Sequence, residues 1–149
     1  MYETILVPLD GSHRAEAILA HVEPLAQHMG SKLVLMRVVD PAVSVTGMEG
    51  LPVDVTRDLI QQEADESTRY LETLRGELSA RGVNVKISVR YGAIVQAIID
   101  AAEAENADLI AMASHGRTGL ARMFYGSVAA GVLHRIDRPL LIIRSDQAR

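Results

Sequence analysis

The sequence predicts an α/β fold of three layers, α/β/α, with a five-stranded parallel sheet covered by helices on both faces. Five short apolar runs alternate with four helical patterns, the order that strands joined by crossover helices require. The runs are Thr4 to Leu9, Lys32 to Val39, Val83 to Arg90, Ala107 to Ala113 and Pro139 to Arg144. With 149 residues, 48% of them hydrophobic, the chain can fill one core but not two, so a single domain over 1–149 is expected.

The intervening segments carry helical periodicity. Ile18, Val22, Leu25 and Met29 line one face of a first helix that Ser12 is placed to cap. Pro24 lies deep within it and predicts a bend, because proline removes a backbone hydrogen bond. The segment Pro41 to Val53 holds two Pro and two Gly without periodicity and reads as a long loop. Ile60, Ala64, Ser67, Leu71, Leu74 and Leu78 form the stripe of a second helix. A third runs from about Ala93 to Glu105, and a fourth from about Ser127 to Ile136. Gly30, Gly82 and Asn106 end the first three helices, being residue types that tolerate the left-handed conformation beyond a helix.

Composition narrows the function. A formal charge of −4, one Phe and no Trp give no basic field for a phosphate backbone and little to stack bases on, so nucleic acid is not an expected partner. The chain has no Cys, which excludes disulfides, zinc-thiolate sites and thiol nucleophiles. His21 and His28 share a helical face, but no carboxylate or third histidine completes a metal-binding spacing. No apolar run approaches the ~20 residues of a membrane span, and a strand pattern begins within three residues of Met1, so a cytoplasmic protein without a membrane partner is expected.

Ligands of open parallel sheets bind beyond the carboxyl ends of the strands, where the strand order reverses. Two loops there are candidates. Pro8-Leu9-Asp10-Gly11-Ser12 puts a carboxylate where it can accept from an adenine amine or a ribose hydroxyl, and it equally reads as a helix-capping turn. The segment Met112-Ala113-Ser114-His115-Gly116-Arg117-Thr118-Gly119 leads on to Gly126-Ser127-Val128 at the start of the last helix. Its glycines admit close backbone approach, and a helix N-terminus offers free N–H groups to phosphate. Read by spacing alone, Gly116 and Gly126 are also compatible with turn glycines. No G-x-x-x-x-G-K-[ST] run, G-x-G-x-x-G or G-x-S-x-G is present.

The second loop resembles the nucleotide-binding signature of the universal stress protein family, a Gly, two residues, a second Gly, nine residues and then Gly-Ser or Gly-Thr. Gly116 matches the second glycine and Gly126-Ser127 the closing pair, while Ala113 stands at the first glycine position. The resemblance extends over the opening ILVPLDGS, the strand LVLMRVVDP, and ADLIAMASHGRTGLARMFYGSVA followed by RPLLII. It implies a Rossmann-like sandwich with strand order 3-2-1-4-5, a dimer, and bound ATP or AMP, with Mg as a candidate companion. By matching position it implies that Pro8, Leu9, Asp10 and Val38 lie near adenosine, with the Met112 and Ala113 backbone beside it. His115, Gly116, Arg117, Gly126, Ser127 and Val128 are then placed around the phosphates. An added methyl at Ala113 is costly only if the backbone there is left-handed, and a strand end is the expected conformation.

In that strand order the third and fifth strands are edges. The third alternates Asn84, Lys86 and Ser88 with apolar residues and is guarded against pairing; Pro139 to Arg144 is not, which predicts a homodimer through it. The function expected is a dimeric stress-response or regulatory protein that binds ATP or AMP. A slow ATPase and an interaction module without nucleotide are the alternatives, and no catalytic residue is assigned.

Overall fold

A computed structural model describes residues 1–44, 46–47, 49–114 and 126–145. Five strands, β1 (Thr4–Pro8), β2 (Lys32–Val39), β3 (Asn84–Tyr91), β4 (Leu109–Ala113) and β5 (Leu140–Ile143), form one sheet in the order β3-β2-β1-β4-β5. Every neighbouring pair is parallel. This is the predicted class and order, and each strand lies within two residues of its apolar run.

Alternation of side chains divides the core in two. Ile5, Val7, Leu33 and Leu35 face α1 (His13–Glu16), α2 (Leu19–Met29) and α4 (Val53–Ala80), which contribute Ala15, Ile18, Val22, Leu71, Leu74 and Leu78. Leu6, Val34, Met36, Ile110 and Met112 face α5 (Ile94–Ala104) and α6 (Gly126–Arg135), which contribute Ile98, Ala101, Ala102, Ala129 and Val132. Both faces of the sheet are dry, which explains why its central strands are nearly continuous apolar runs.

Two expectations are revised. Ser12 does cap the first helix, its Oγ accepting from Ala15 N at 3.1 Å. The interruption, however, falls at Ala17 and Ile18, whose N–H groups bond carbonyls three residues back, and α2 then runs through Pro24. This tightened 3₁₀-type step divides the first helix, and the segment around Pro24 stays helical as expected. The loop after β2 also contains a helical turn, α3 (Pro41–Ser44). Asp40 Oδ1 accepts from Ala42 N at 3.0 Å, and Pro41 occupies the first helical position, where a missing N–H does no harm. Gly30, Gly82 and Asn106 take positive φ as expected.

The amino end of the sheet is tied shut. Asp108 accepts from Glu3 N through Oδ2 at 2.8 Å and from Thr4 N through Oδ1 at 3.0 Å, so β1 starts its pairing with β4 in a fixed register. Arg138 Nη1 donates to the Ala102 and Ala107 carbonyls, joining the end of α5 to the entry of β5.

Small residues let α5 and α6 approach closely. A Cβ added at Gly131 would lie 2.7 Å from Val95 Cγ2, and valine is too stiff at χ1 to move aside freely. Overpacking of this kind costs ~1–3 kcal/mol against a helix-propensity gain of at most ~1 kcal/mol. Gly131→Ala is therefore expected to lower stability by about 1 kcal/mol in urea denaturation, and Val95→Ala in the same chain should reduce that loss. A gain in stability from Gly131→Ala alone would contradict the close packing.

Candidate functional site

The ladder between β1 and β4 is incomplete. It holds the pairs Ile5↔Leu109 and Leu6↔Ile110 and then stops, although β1 continues to Pro8 and β4 to Ala113. On their outer sides both strands remain paired, Pro8 with Met36 and Ala113 with Ile143. Leu9 N donates to Met36 O, so odd-numbered residues at this end of β1 present their backbone to β2 and even-numbered ones to β4. The next rung toward β4 thus needs an N–H on residue 8, and proline has none. The carboxyl ends of β1 and β4 flank the topological switch point, where the chain order reverses from β1-β2-β3 to β4-β5, and this is the crevice in which open parallel sheets take ligands.

The backbone of β4 follows the complementary alternation. Ile110 N donates to Pro139 O at 3.0 Å and Ser114 N to Ile143 O at 2.8 Å, so the intervening odd residue Ala113 turns its N–H and C=O toward the crevice. Ala113 is the last residue of β4, and Asn106 is the one non-glycine at positive φ among the described residues. Its methyl therefore introduces no backbone strain. Ser114 follows, 3% exposed, and its Oγ has no hydrogen-bond partner among the described residues. A buried hydroxyl without a partner costs ~1–3 kcal/mol, so the site is built at the expense of stability.

The expected positions fall on the elements around this point. Asp10 closes the β1 loop by accepting from Ser12 N through Oδ1 at 2.9 Å, so the helix-capping turn and a carboxylate at the strand end are one arrangement. Gly11, at φ +86°, makes the loop's sharp reversal. Val38 and Met112 belong to the α5/α6 side, Val38 standing two residues along β2 from the partner of Pro8. Gly126, at φ +73°, opens α6, whose Ala129 packs in the same cluster as Met112. Ser127 is exposed and Val128 partly buried at that helix start. Leu9 differs: its side chain is buried in the core of the opposite face, and only its backbone borders the loop. His115, Gly116 and Arg117 lie outside the described residues.

Three residues near the loop escaped the sequence reading. Arg37 lies with its guanidinium carbon 5.5 Å from the centre of the Tyr70 ring, and the Tyr70 hydroxyl donates to Glu16 Oε2 at 2.5 Å. Burial first, then the bond to Glu16, push the Tyr70 phenol to a higher pKa, which keeps it a donor. A charged residue within the apolar run LVLMRVV was the available signal. A depression of about 340 Å³ between α1 and the end of β5 is bordered by His13, Arg14, His21 and Arg144. It lies beside α1, on the other side of the sheet from Val38 and Met112, and none of its residues carries a buried partnerless polar atom. The crevice is the stronger candidate.

Comparison with known proteins agrees with this fold. A universal stress protein of Methanocaldococcus jannaschii is 28% identical over 97% of this chain and 96% of its own, and its solved structure superposes with a TM-score of 0.87 over 99% of each chain. The universal stress protein UspA of Lactobacillus plantarum is 25% identical, with a TM-score of 0.81 over 96% of this chain and 98% of its own. An Archaeoglobus fulgidus universal stress protein, solved with dAMP, shares the fold at 18% identity and a TM-score of 0.62, over 96% of this chain and 98% of its own. The family model of the universal stress proteins matches residues 1–144, and the chain belongs to that family.

Proposed function

We propose that this protein binds ATP or AMP in the β1–β4 crevice and acts as a dimeric, non-catalytic stress-response or regulatory protein of the cytoplasm. The observation that carries the reading is the buried Ser114 hydroxyl, which has no partner among the described residues and follows the end of β4 at a topological switch point. A hydroxyl both donates and accepts, which suits an adenine. Asp10 accepts from the adenine amine or a ribose hydroxyl, with Val38 and Met112 along the apolar side of the base. Gly126 and Ser127 present the N-terminus of α6 to the phosphates. His115, Gly116 and Arg117 complete the cradle by their place in the signature, and Mg accompanies the phosphates of ATP. The dAMP held by the Archaeoglobus fulgidus protein is a ligand of the same class.

The proposed dimer joins copies through Pro139 to Arg144. All four residues of β5 are apolar and partly exposed along an open sheet edge. The opposite edge is guarded, Lys86 Nζ meeting both Glu105 oxygens at 2.9 Å. Among the described residues no helix is long and apolar enough to cross a membrane.

Denaturing the purified protein and identifying what it releases tests the ligand. ATP or AMP is expected, and added nucleotide at a hundred times its dissociation constant should raise stability by ~2.7 kcal/mol. Gly126→Asp should abolish that shift by placing a carboxylate against the phosphates. Absence of both nucleotide and shift would sink the reading, and phosphate release well above a no-protein control would make the protein an ATPase.

Ser114→Ala discriminates more finely. Removing an orphaned hydroxyl should leave the ligand-free protein as stable or more so by ~1 kcal/mol, while weakening nucleotide binding. A destabilised ligand-free protein with unchanged affinity would refute the assignment. For the dimer, sedimentation at micromolar concentration should give twice the chain mass, and a monomer there would remove it.

A further inference from the structure

Arg37 is out of place by pattern. On β2 it shares the face of Leu33 and Leu35, in the layer of α1, α2 and α4, yet it is charged and only partly exposed. Its Nε is buried and has no hydrogen-bond partner among the described residues. Two neighbours from other elements lie against its guanidinium. The Tyr70 ring of α4 lies on one side, 5.5 Å from Cζ to ring centre. Gly11 of the β1–α1 loop lies against it too: a Cβ built there would stand 3.1 Å from Arg37 Nη1 and 3.4 Å from Cζ. The guanidinium therefore occupies the space a side chain at position 11 would need. Tyr70 is fixed in turn by its hydrogen bond to Glu16 in α1. Asp10 and Arg37 both lie close enough to act on the Tyr70 phenol, in opposite senses.

We propose that Arg37 is a positioning residue for the nucleoside end of the site: stacked between Tyr70 and Gly11, it fixes the β1–α1 loop so that Asp10 meets its ligand in one geometry. This rests on the reading of Asp10 as a nucleoside contact. A loop with glycine at φ +86° has many conformations open to it in isolation, and the planar guanidinium removes them by excluded volume. Because phosphate contacts come from another element, α6, the action of Arg37 is confined to the nucleoside.

The test is a double-mutant cycle on the full-length protein, using calorimetric titration with AMP and, separately, with inorganic tripolyphosphate. Arg37→Met and Asp10→Asn are each expected to weaken AMP by about tenfold, with the double variant no weaker than either alone, since both act through one carboxylate. Tripolyphosphate binding should be unchanged in Arg37→Met, which a general loosening of the fold would not allow. Arg37→Lys keeps the charge without the planar face and should lose AMP affinity as well. Multiplicative losses in the double variant, wild-type affinity in Arg37→Met or Arg37→Lys, or equal loss of tripolyphosphate would overturn the role of Arg37 while leaving the nucleotide site standing. Failure of the wild-type protein to bind AMP would remove the nucleotide reading, and this proposal with it.

Discussion

A missing hydrogen atom organises the carboxyl end of this molecule. Pro8 closes β1 on the side that faces β4, and without an N–H it cannot supply the next rung of the ladder. In a central strand that loss would normally be selected against. At the last residue of the strand it instead ends the pairing while both strands keep their outer partners, β2 and β5. The amino end behaves in the opposite way, where the Asp108 carboxylate takes two N–H groups of β1 and holds the strands together. The sheet is thus pinned at its amino end and loses one rung at its carboxyl end, beside the topological switch point.

The two faces of the sheet do different work around that crevice. On one, alanines and Gly131 let α5 and α6 pack at short distance, and this packing sets the N-terminus of α6 over the end of β4. On the other, the long α4 supplies Tyr70, which with Glu16 and Arg37 braces the loop after β1. One face thus holds the element suited to phosphate and the other steadies the loop carrying Asp10. A ligand spanning the crevice touches both.

Much of the fold was legible because strand and helix periodicities are imposed by burial on both faces of a parallel sheet. The strand order was legible only through resemblance to a family, since apolar runs such as Lys32 to Val39 and Pro139 to Arg144 fix no neighbour. One proline misled for an instructive reason: Pro41 starts a helical turn because Asp40 caps it. The helix-capping turn was read correctly from local chemistry, Ser12 capping the first helix and Asp10 closing the loop before it. The buried Ser114 hydroxyl and the stacking of Arg37 depend on three-dimensional neighbours distant in sequence, and no local pattern encodes them. Pro8 was visible as a site residue, but its effect requires knowing that β4 lies on its N–H side.

The claim on which the rest depends is that the opened end of the β1–β4 pair is where an adenine nucleotide sits. Backbone amide chemical shifts of the protein titrated with AMP address it residue by residue. The account predicts changes at Asp10, Val38, Ala113, Ser114 and Gly126, with the outer strand β3 silent. Changes confined to His13, Arg14 and His21, or no saturable change at any amide, would contradict it.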